Sequence, residues 1–231
     1  MGKSELVNAI AKHLIVDHDL PVFMVKPEEA VAKTYNLLVG KAAKKIFHDP
    51  NLPFDEEAYD LAEPLIGDKA IISDIYQFVD WQSTKDDIIY AVKNHGVKDI
   101  IIDPITCFTN MLSASEANEM LTGMAAEISA MAKEHGFTAY IFCHLKAPTN
   151  GTPHERGGKV LSPQFAGSRA MMRSCNLMIG MEGNKDPELD PDERNIRHLV
   201  LLEDREFGQV GRYPLYWDRH TGDFQEMVGS L

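Results

Sequence analysis

The sequence predicts an α/β fold: a mostly parallel central sheet with helices on both faces. Three observations carry this. Residues 97–102 are a short, β-branched, apolar run ending in Asp103, the pattern of a strand buried on both faces. Strand-like runs alternate along the chain with helical stretches of a dozen or more residues, the arrangement of βαβ units. Gly2-Lys3-Ser4 stands directly before a helical pattern and matches the tail of the phosphate-binding loop G-x-x-x-x-G-K-[ST].

Taken in order, Leu6, Ile10, Leu14 and Ile15 recur at helical spacing over residues 4–18. Residues 21–25 form a short apolar strand. Pro27, Glu28 and Glu29 suit a helix start, so residues 27–47 read as one long helix. Residues 55–65 read as another helix and 69–73 as another strand. Residues 83–93 form an amphipathic helix closed by Asn94-His95-Gly96. After the Asp103 strand, residues 106–112 form a loop, and residues 113–116 open a helix that runs to Glu134 and stops at Gly136. Residues 138–143 are a further strand. Residues 144–162 are rich in Gly, Pro and charge, and a structureless loop of that length is usually functional or disordered. Residues 166–174 read as helix, 177–181 as strand, and 183–195 as an acidic, solvated, mobile connection. Residues 197–202 and 212–217 are late strands, a hairpin at the sheet edge. With no internal repeat and no second domain, residues 1–231 read as one domain.

Composition narrows the class. The 231 residues suffice for a sizeable core, and 44% hydrophobic with 25% charged residues is ordinary for a soluble globular protein. No run of 18 apolar residues suggests a membrane helix, and no signal-peptide core is seen. The cysteines, Cys107, Cys143 and Cys175, are odd in number and widely spaced, so they read as reduced and the protein as cytoplasmic. A net charge of −12 argues against a surface coated for duplex DNA. It leaves room for a few basic loops, because the local field decides such contacts.

Chemistry then attaches to four places. Asp103 falls at the carboxyl end of a strand, where open α/β sheets bind ligands and where ATPases hold Mg²⁺ on an acid. Asp103-Pro104 also reads as simple turn chemistry. Lys3 would reach the β and γ phosphates, Ser4 would offer its hydroxyl to Mg²⁺, and the helix N-terminus would add N–H donors. The glycines and the strand that normally feed such a loop do not precede Gly2. The chain therefore reads as N-terminally truncated inside its own phosphate cradle. Glu28 follows the 21–25 strand, where an ATPase needs a carboxylate to orient and deprotonate water. A plain helix-start role suits Glu29 better than Glu28. His144 would hydrogen-bond a γ-phosphate oxygen, although a lone histidine also reads as structural.

Several motifs then combine. They are His144-Leu145-Lys146, the Gly/Pro loop behind it, Phe165-Ala166-Gly167-Ser168, Asp204-Arg205-x-x-Gly208-x-x-Gly211, and Trp217-Asp218-x-x-Thr221-Gly222. In this order, and over nearly the whole chain, they resemble hexameric replicative DNA helicases. The nearest look is the helicase half of bacteriophage primase–helicases, with mitochondrial Twinkle and bacterial DnaB as relatives. The resemblance implies a RecA-like P-loop NTPase core that uses ATP, or another NTP or dNTP, with Mg²⁺. It implies a 5′-to-3′ motor on single-stranded DNA, a homo-hexamer or heptamer with nucleotide between subunits, and contact with replisome proteins.

Residue by residue, the resemblance implies that Gly2, Lys3 and Ser4 cradle nucleotide, with Met1 at the variable position before them. Ser4 and Asp103 would hold the metal, and Glu28 would be the catalytic carboxylate. His144 would sense phosphate, and Arg205 would be an arginine finger acting on the neighbouring subunit. Trp217 would stack on the base. Lys146 and the loop to about Gly158, Arg156 included, would contact DNA in a central channel, and Lys159 and Arg169 beside it are further DNA-binding candidates. Departures from the pattern are Glu203 where a lysine is common, Arg169 where a glycine is common, and Gly183 where phage relatives carry a base-stacking arginine. Lys146, His154, Arg156, Lys159, Arg169 and Arg173 form a basic cluster in or beside the long loop. A single strand needs such a positive groove, and six copies would multiply it. A merely solvated loop is the bland alternative.

Two other functions fit the same residues. One is a RecA-like recombinase or clock-type ATPase. The other is a fragment that folds, and binds DNA or sibling subunits, without hydrolysing ATP. The incomplete loop predicts weak ATP affinity and an exposed, sticky sheet edge.

Overall fold

In a computed structural model, residues 2–75, 80–148, 150–165 and 173–227 are described. Met1, Gly167, Ser168 and Arg169, and most of the helix expected over 166–174, lie outside them. The chain builds two four-stranded sheets. The first is parallel, in the order β2–β1–β3–β4, with β1 Val22–Val25, β2 Ala70–Ser73, β3 Asp99–Ile102 and β4 Thr138–Ile141. The second is antiparallel, β5–β6–β7–β8, from Leu177–Gly183, Ile196–Asp204, Gly211–Asp218 and Asp223–Glu226. The expected hairpin is thus the middle of a larger sheet.

The alternation of β1 and β3 explains the two cores. Phe23, Val25, Ile100 and Ile102 face α4 (Trp81–His95) and α5 (Ala114–His135), packing on Ile88, Leu121, Met124 and Ile128. Val22, Met24 and Ile101 face α1 (Lys3–Lys12), α2 (Val31–Ala43) and α3 (Glu56–Ile66), packing on Val7, Leu38 and Ile66. Successive strand residues point to opposite faces, so a strand covered on both sides must be apolar throughout. Ile100, Ile101 and Ile102 are each at most 1% exposed, each worth roughly 1.5–3 kcal/mol of burial. Helices on both faces of a parallel sheet are what the strand–helix alternation predicts.

Two expectations need correction. The helix expected over residues 27–47 begins only at Val31 and ends at Ala43. Before it, the Glu29 amide closes a turn onto the Lys26 carbonyl (3.1 Å), and the buried Lys26 ammonium bonds Glu29 and Asn8. That turn holds residues 27–30 out of the helix. At the other end Gly40 lets the Lys45 carbonyl approach, since a Cβ there would meet that oxygen at 2.6 Å. The second correction concerns residues 183–195, expected to be a mobile connection. They contain a short helix, α6 (Pro191–Asn195), capped by Asp190, and an ion pair from Asp186 to Arg156.

Other boundaries follow local chemistry. Asp55 and Asp80 cap α3 and α4, and Ser113 with Glu116 forms a capping box at α5. Among the described residues no helix is long and apolar enough to cross a membrane.

Candidate nucleotide site at the parallel-sheet rim

β1, β3 and β4 run in register, so their carboxyl ends reach one rim. The Asp103 amide bonds the Val25 carbonyl (2.9 Å), and the Ile105 amide bonds the Phe142 carbonyl (2.8 Å), tying the turn after β3 to both neighbours. Asp103 therefore both ends its strand and opens a turn, a one-and-a-half-turn 3₁₀ segment over Ile105–Thr109.

Four side chains expected to act together meet here. Lys3 Nζ lies 2.5 Å from Asp103 Oδ1, with Asp103 only 3% exposed. Among the described residues neither atom makes a hydrogen bond beyond this pair. A buried cation and anion left otherwise unsatisfied are groups with donors and acceptors to spare. Across the rim, His144 Nε2 is 3.8 Å from Glu28 Oε2, and both side chains are about half exposed. Ser4 is exposed in the first turn of α1, and Gly2 caps that helix at φ +78°. A helix N-terminus opening onto this rim supplies free N–H donors and a favourable dipole for an anion.

Two neighbours were not visible as functional residues in the sequence. Thr106 Oγ1 bonds His144 Nδ1 at 3.1 Å, and the Cys107 thiol donates to Glu28 Oε1 at 3.5 Å. Both sit on the turn after Asp103, read in the sequence only as loop. The one available signal was a hydroxyl and a thiol within four residues of Asp103. Burial first, and then the Glu28 carboxylate, push the Cys107 thiol up to about 12. Glu29 behaves differently from Glu28. Burial raises its carboxyl, but Lys26, Thr34 and Lys33 outweigh that and hold it below the usual value. Glu29 thus serves the fold, and Glu28 faces the rim.

The remaining candidates lie elsewhere. Trp217 on β7 stacks edge-on against Phe224 (5.1 Å) and under the Lys41 ammonium (4.9 Å). Phe224 is also a neighbour of Gly2, so the indole stands one ring away from the loop tail. Arg205 is exposed at the β6–β7 turn, where Asp204 Oδ1 accepts from the Glu206 and Phe207 amides. Its guanidinium reaches Glu203 (3.2 Å) and the Arg173 carbonyl (2.7 Å). The carboxylate that departs from the helicase pattern is therefore offset by Arg205 itself.

Lys146, Arg156 and Lys159 are all exposed. Their loop is less free than its composition predicts. Leu145 bridges Phe165, Arg156 bridges Asn184, and the Val160 amide donates to Glu182 (2.9 Å). Arg156 is partly neutralised by Asp186 at 3.2 Å.

No family model matches the chain. A DNA helicase/primase of Enterobacteria phage T3 is 27% identical over 136 residues, covering 58% of this chain and 23% of that protein. A chloroplastic/mitochondrial Twinkle homolog of Arabidopsis thaliana is 21% identical over 235 residues, covering 97% of this chain and 32% of that protein. The chain thus spans less than a third of the length of these curated relatives, 23% of one and 32% of the other. The solved ATPase domain of G40P superposes with a TM-score of 0.74 at 16% identity, covering 98% of this chain and 81% of that one. A DnaB-like replicative helicase, solved for its interactions with primase, superposes at 0.73 and 17% identity, covering 97% and 54%. The fold is RecA-like, as in these solved ATPase domains, and in sequence the chain is similar to the phage helicase/primase and to the Twinkle homolog.

Proposed function

We propose that this domain is the motor of a replicative DNA helicase, hydrolysing a nucleoside triphosphate to move 5′ to 3′ along single-stranded DNA. One observation carries the reading: Lys3, Asp103, Glu28 and His144, up to 141 positions apart in the chain, share one sheet rim at the N-terminus of α1.

The residues fit a magnesium nucleotide. Lys3 Nζ and Asp103 Oδ1 have each other at 2.5 Å and, among the described residues, no further hydrogen bond, which leaves donor and acceptor capacity for a phosphate and a cation. Among the described residues no three His, Cys, Asp or Glu side chains converge on a metal. Mg²⁺ held by one or two protein oxygens, phosphates and water needs no such cage. Ser4 and Asp103 would hold it, and when bound it neutralises charge on the β and γ phosphates.

The chain's own groups supply the rest. Lys3 and the α1 amides bind the phosphates, and Lys3 exchanges its contact with Asp103 for them. Glu28 orients the attacking water and takes its proton. His144, held at Nδ1 by Thr106, bonds the terminal phosphate through Nε2 and reports its loss to the loop that begins at Leu145. Lys146, Arg156 and Lys159 grip the DNA backbone from that loop, and Arg169 is a further proposed phosphate contact. Trp217 packs near the base. Arg205 acts in trans, between subunits of a hexamer or heptamer, from the exposed turn after β6.

Strand displacement on a forked duplex tests this reading against the recombinase alternative, which would hydrolyse nucleotide without unwinding. In the assembled protein, Arg205→Ala abolishes DNA-stimulated hydrolysis while binding at a single site survives. Unchanged turnover in that variant refutes the finger.

A further inference from the structure

Directly after α1 the chain makes a π-turn over His13–Asp17, closed by His18. Leu14, Ile15 and Val16 pack into the core that α1 shares with α2 and α3, while His13, Asp17 and His18 are exposed. A π-turn closes from residue i to i+5, so residues five apart share one face, as residues four apart do in an α-helix. His13 and His18 are five apart, and their Nε2 atoms stand 3.1 Å from each other. The ring planes cross at 89°, so the rings meet through these nitrogen edges and do not stack. The Leu20 amide closes back onto the Leu14 carbonyl (3.1 Å) and Lys69 bonds Asp19, which holds the chain around His18.

Asp17 sets which nitrogen of His13 carries a proton. Its Oδ2 lies 2.7 Å from His13 Nδ1, and this bond holds the carboxyl below its ordinary value. An ionised carboxylate only accepts, so neutral His13 carries its proton on Nδ1 and a lone pair on Nε2. His18 Nε2 then donates to that lone pair. Lys12 lies 3.8 Å from Asp17, but it stands equally far from Asp223 and so is shared between two carboxylates.

We propose that His13 and His18 chelate a divalent metal ion of the zinc type through their Nε2 atoms, with Asp17 as the positioning residue behind His13. Metal–nitrogen bonds of about 2.0–2.1 Å set two ligand nitrogens about 2.9–3.4 Å apart, from right-angled to tetrahedral geometry. The pair already stands at 3.1 Å, so binding needs no backbone movement. A carboxylate behind a ligating imidazole fixes its tautomer and raises its basicity. Among the described residues no three His, Cys, Asp or Glu side chains converge on one ion, so water fills the remaining positions. Imidazole selects zinc, copper or nickel over magnesium and calcium, which take oxygen ligands. The site is therefore chemically distinct from the phosphate rim, which lies at the other end of α1 with Lys3. On binding, the ion displaces the His18 Nε2 hydrogen, and a proton returns through water to Nδ1 of the same ring, so the proton count is unchanged.

The test is a zinc titration of the whole chain at slightly alkaline pH, with excess Mg²⁺ present, read by nitrogen-15 spectra of the imidazoles. The Nε2 signals of His13 and His18 should shift together along one saturating curve, and His18 should switch from the Nε2–H to the Nδ1–H tautomer. His95, an exposed histidine on α4, should not move. His18→Gln should weaken zinc binding at His13 at least tenfold, and Asp17→Ala should weaken it about 10–100-fold. His95→Gln should leave it unchanged. Circular dichroism checks that each variant folds. Signals of His13 and His18 unmoved at millimolar zinc, separate curves for the two rings, or unchanged affinity in His18→Gln overturns the proposal. So does saturation of this pair at one zinc per two chains, which would make the ion a bridge between copies.

Discussion

Lys41 is a lysine with only 2% of its side chain exposed, and its removal should be costly. Its ammonium bonds Glu5 Oε2 (2.9 Å) on α1 and the Gly222 carbonyl in the β7–β8 turn, lies 3.8 Å from Asp223, and sits over Trp217. It therefore joins the helix that presents Lys3 and Ser4 to the antiparallel sheet. Lys41→Met keeps much of the stem and removes the charge. The Gly222 carbonyl is left unsatisfied, at about 1–3 kcal/mol. Glu5 and Asp223 are 26% and 19% exposed, so they recover part of their hydration and add less than a fully buried orphan charge would. The expected loss is about 2–4 kcal/mol, which lowers Tm by roughly 5–15 °C in a domain of this size. Lys33→Met is the control, because Lys33 is 55% exposed and its pair with Glu29 is of the surface kind, worth about 0–1 kcal/mol. Thermal unfolding followed by circular dichroism measures both. A Lys41→Met shift no larger than that of Lys33→Met would falsify the latch.

Three further outcomes are expected. With Cys107 raised to about 12, its thiolate is scarce at pH 8–9, so site-resolved alkylation there should run far slower than in urea, and Glu28→Gln should speed it; an unchanged rate in the variant removes the thiol–carboxylate contact. Glu29 has a depressed folded value, so its contribution is full above the unfolded carboxylate range and is lost as pH falls through the folded value. Denaturant titrations of the native protein and Glu29→Gln should therefore converge in acid and separate near neutrality; parallel curves across pH refute this. Gly180→Ala places a Cβ 2.8 Å from Val160 Cγ1, which should cost about 1–3 kcal/mol and loosen the loop, read as faster proteolysis between residues 144 and 162; unchanged stability and cleavage would mean the loop is not held there.

What could be read from the letters follows from periodicity. The isoleucines of β3 and the capped helices α3 and α5 announce themselves, because burial on two faces and N-terminal capping leave local marks. The late start of α2 does not. It depends on Lys26 turning inward to Asn8, 18 residues away, which no local pattern contains. The convergence of Lys3, Glu28, Asp103 and His144 was legible only as motifs in order. Thr106 and Cys107 were missed because their partners lie 38 and 79 positions away. Three strands of the second sheet were seen, since β5, β6 and β7 have clear runs, while β8 is four residues of mixed polarity.

Where a metal–triphosphate binds tests the sheet rim most directly. Paramagnetic broadening by Mn²⁺ with a non-hydrolysable ATP analogue, added at millimolar concentration and read on assigned amides, locates it without requiring turnover. Broadening should centre on Lys3, Ser4, Glu28, Asp103 and His144. Broadening centred instead on the shallow hollow lined by Ala32, Phe47 and Pro50 would contradict the account, as would signals untouched at the rim.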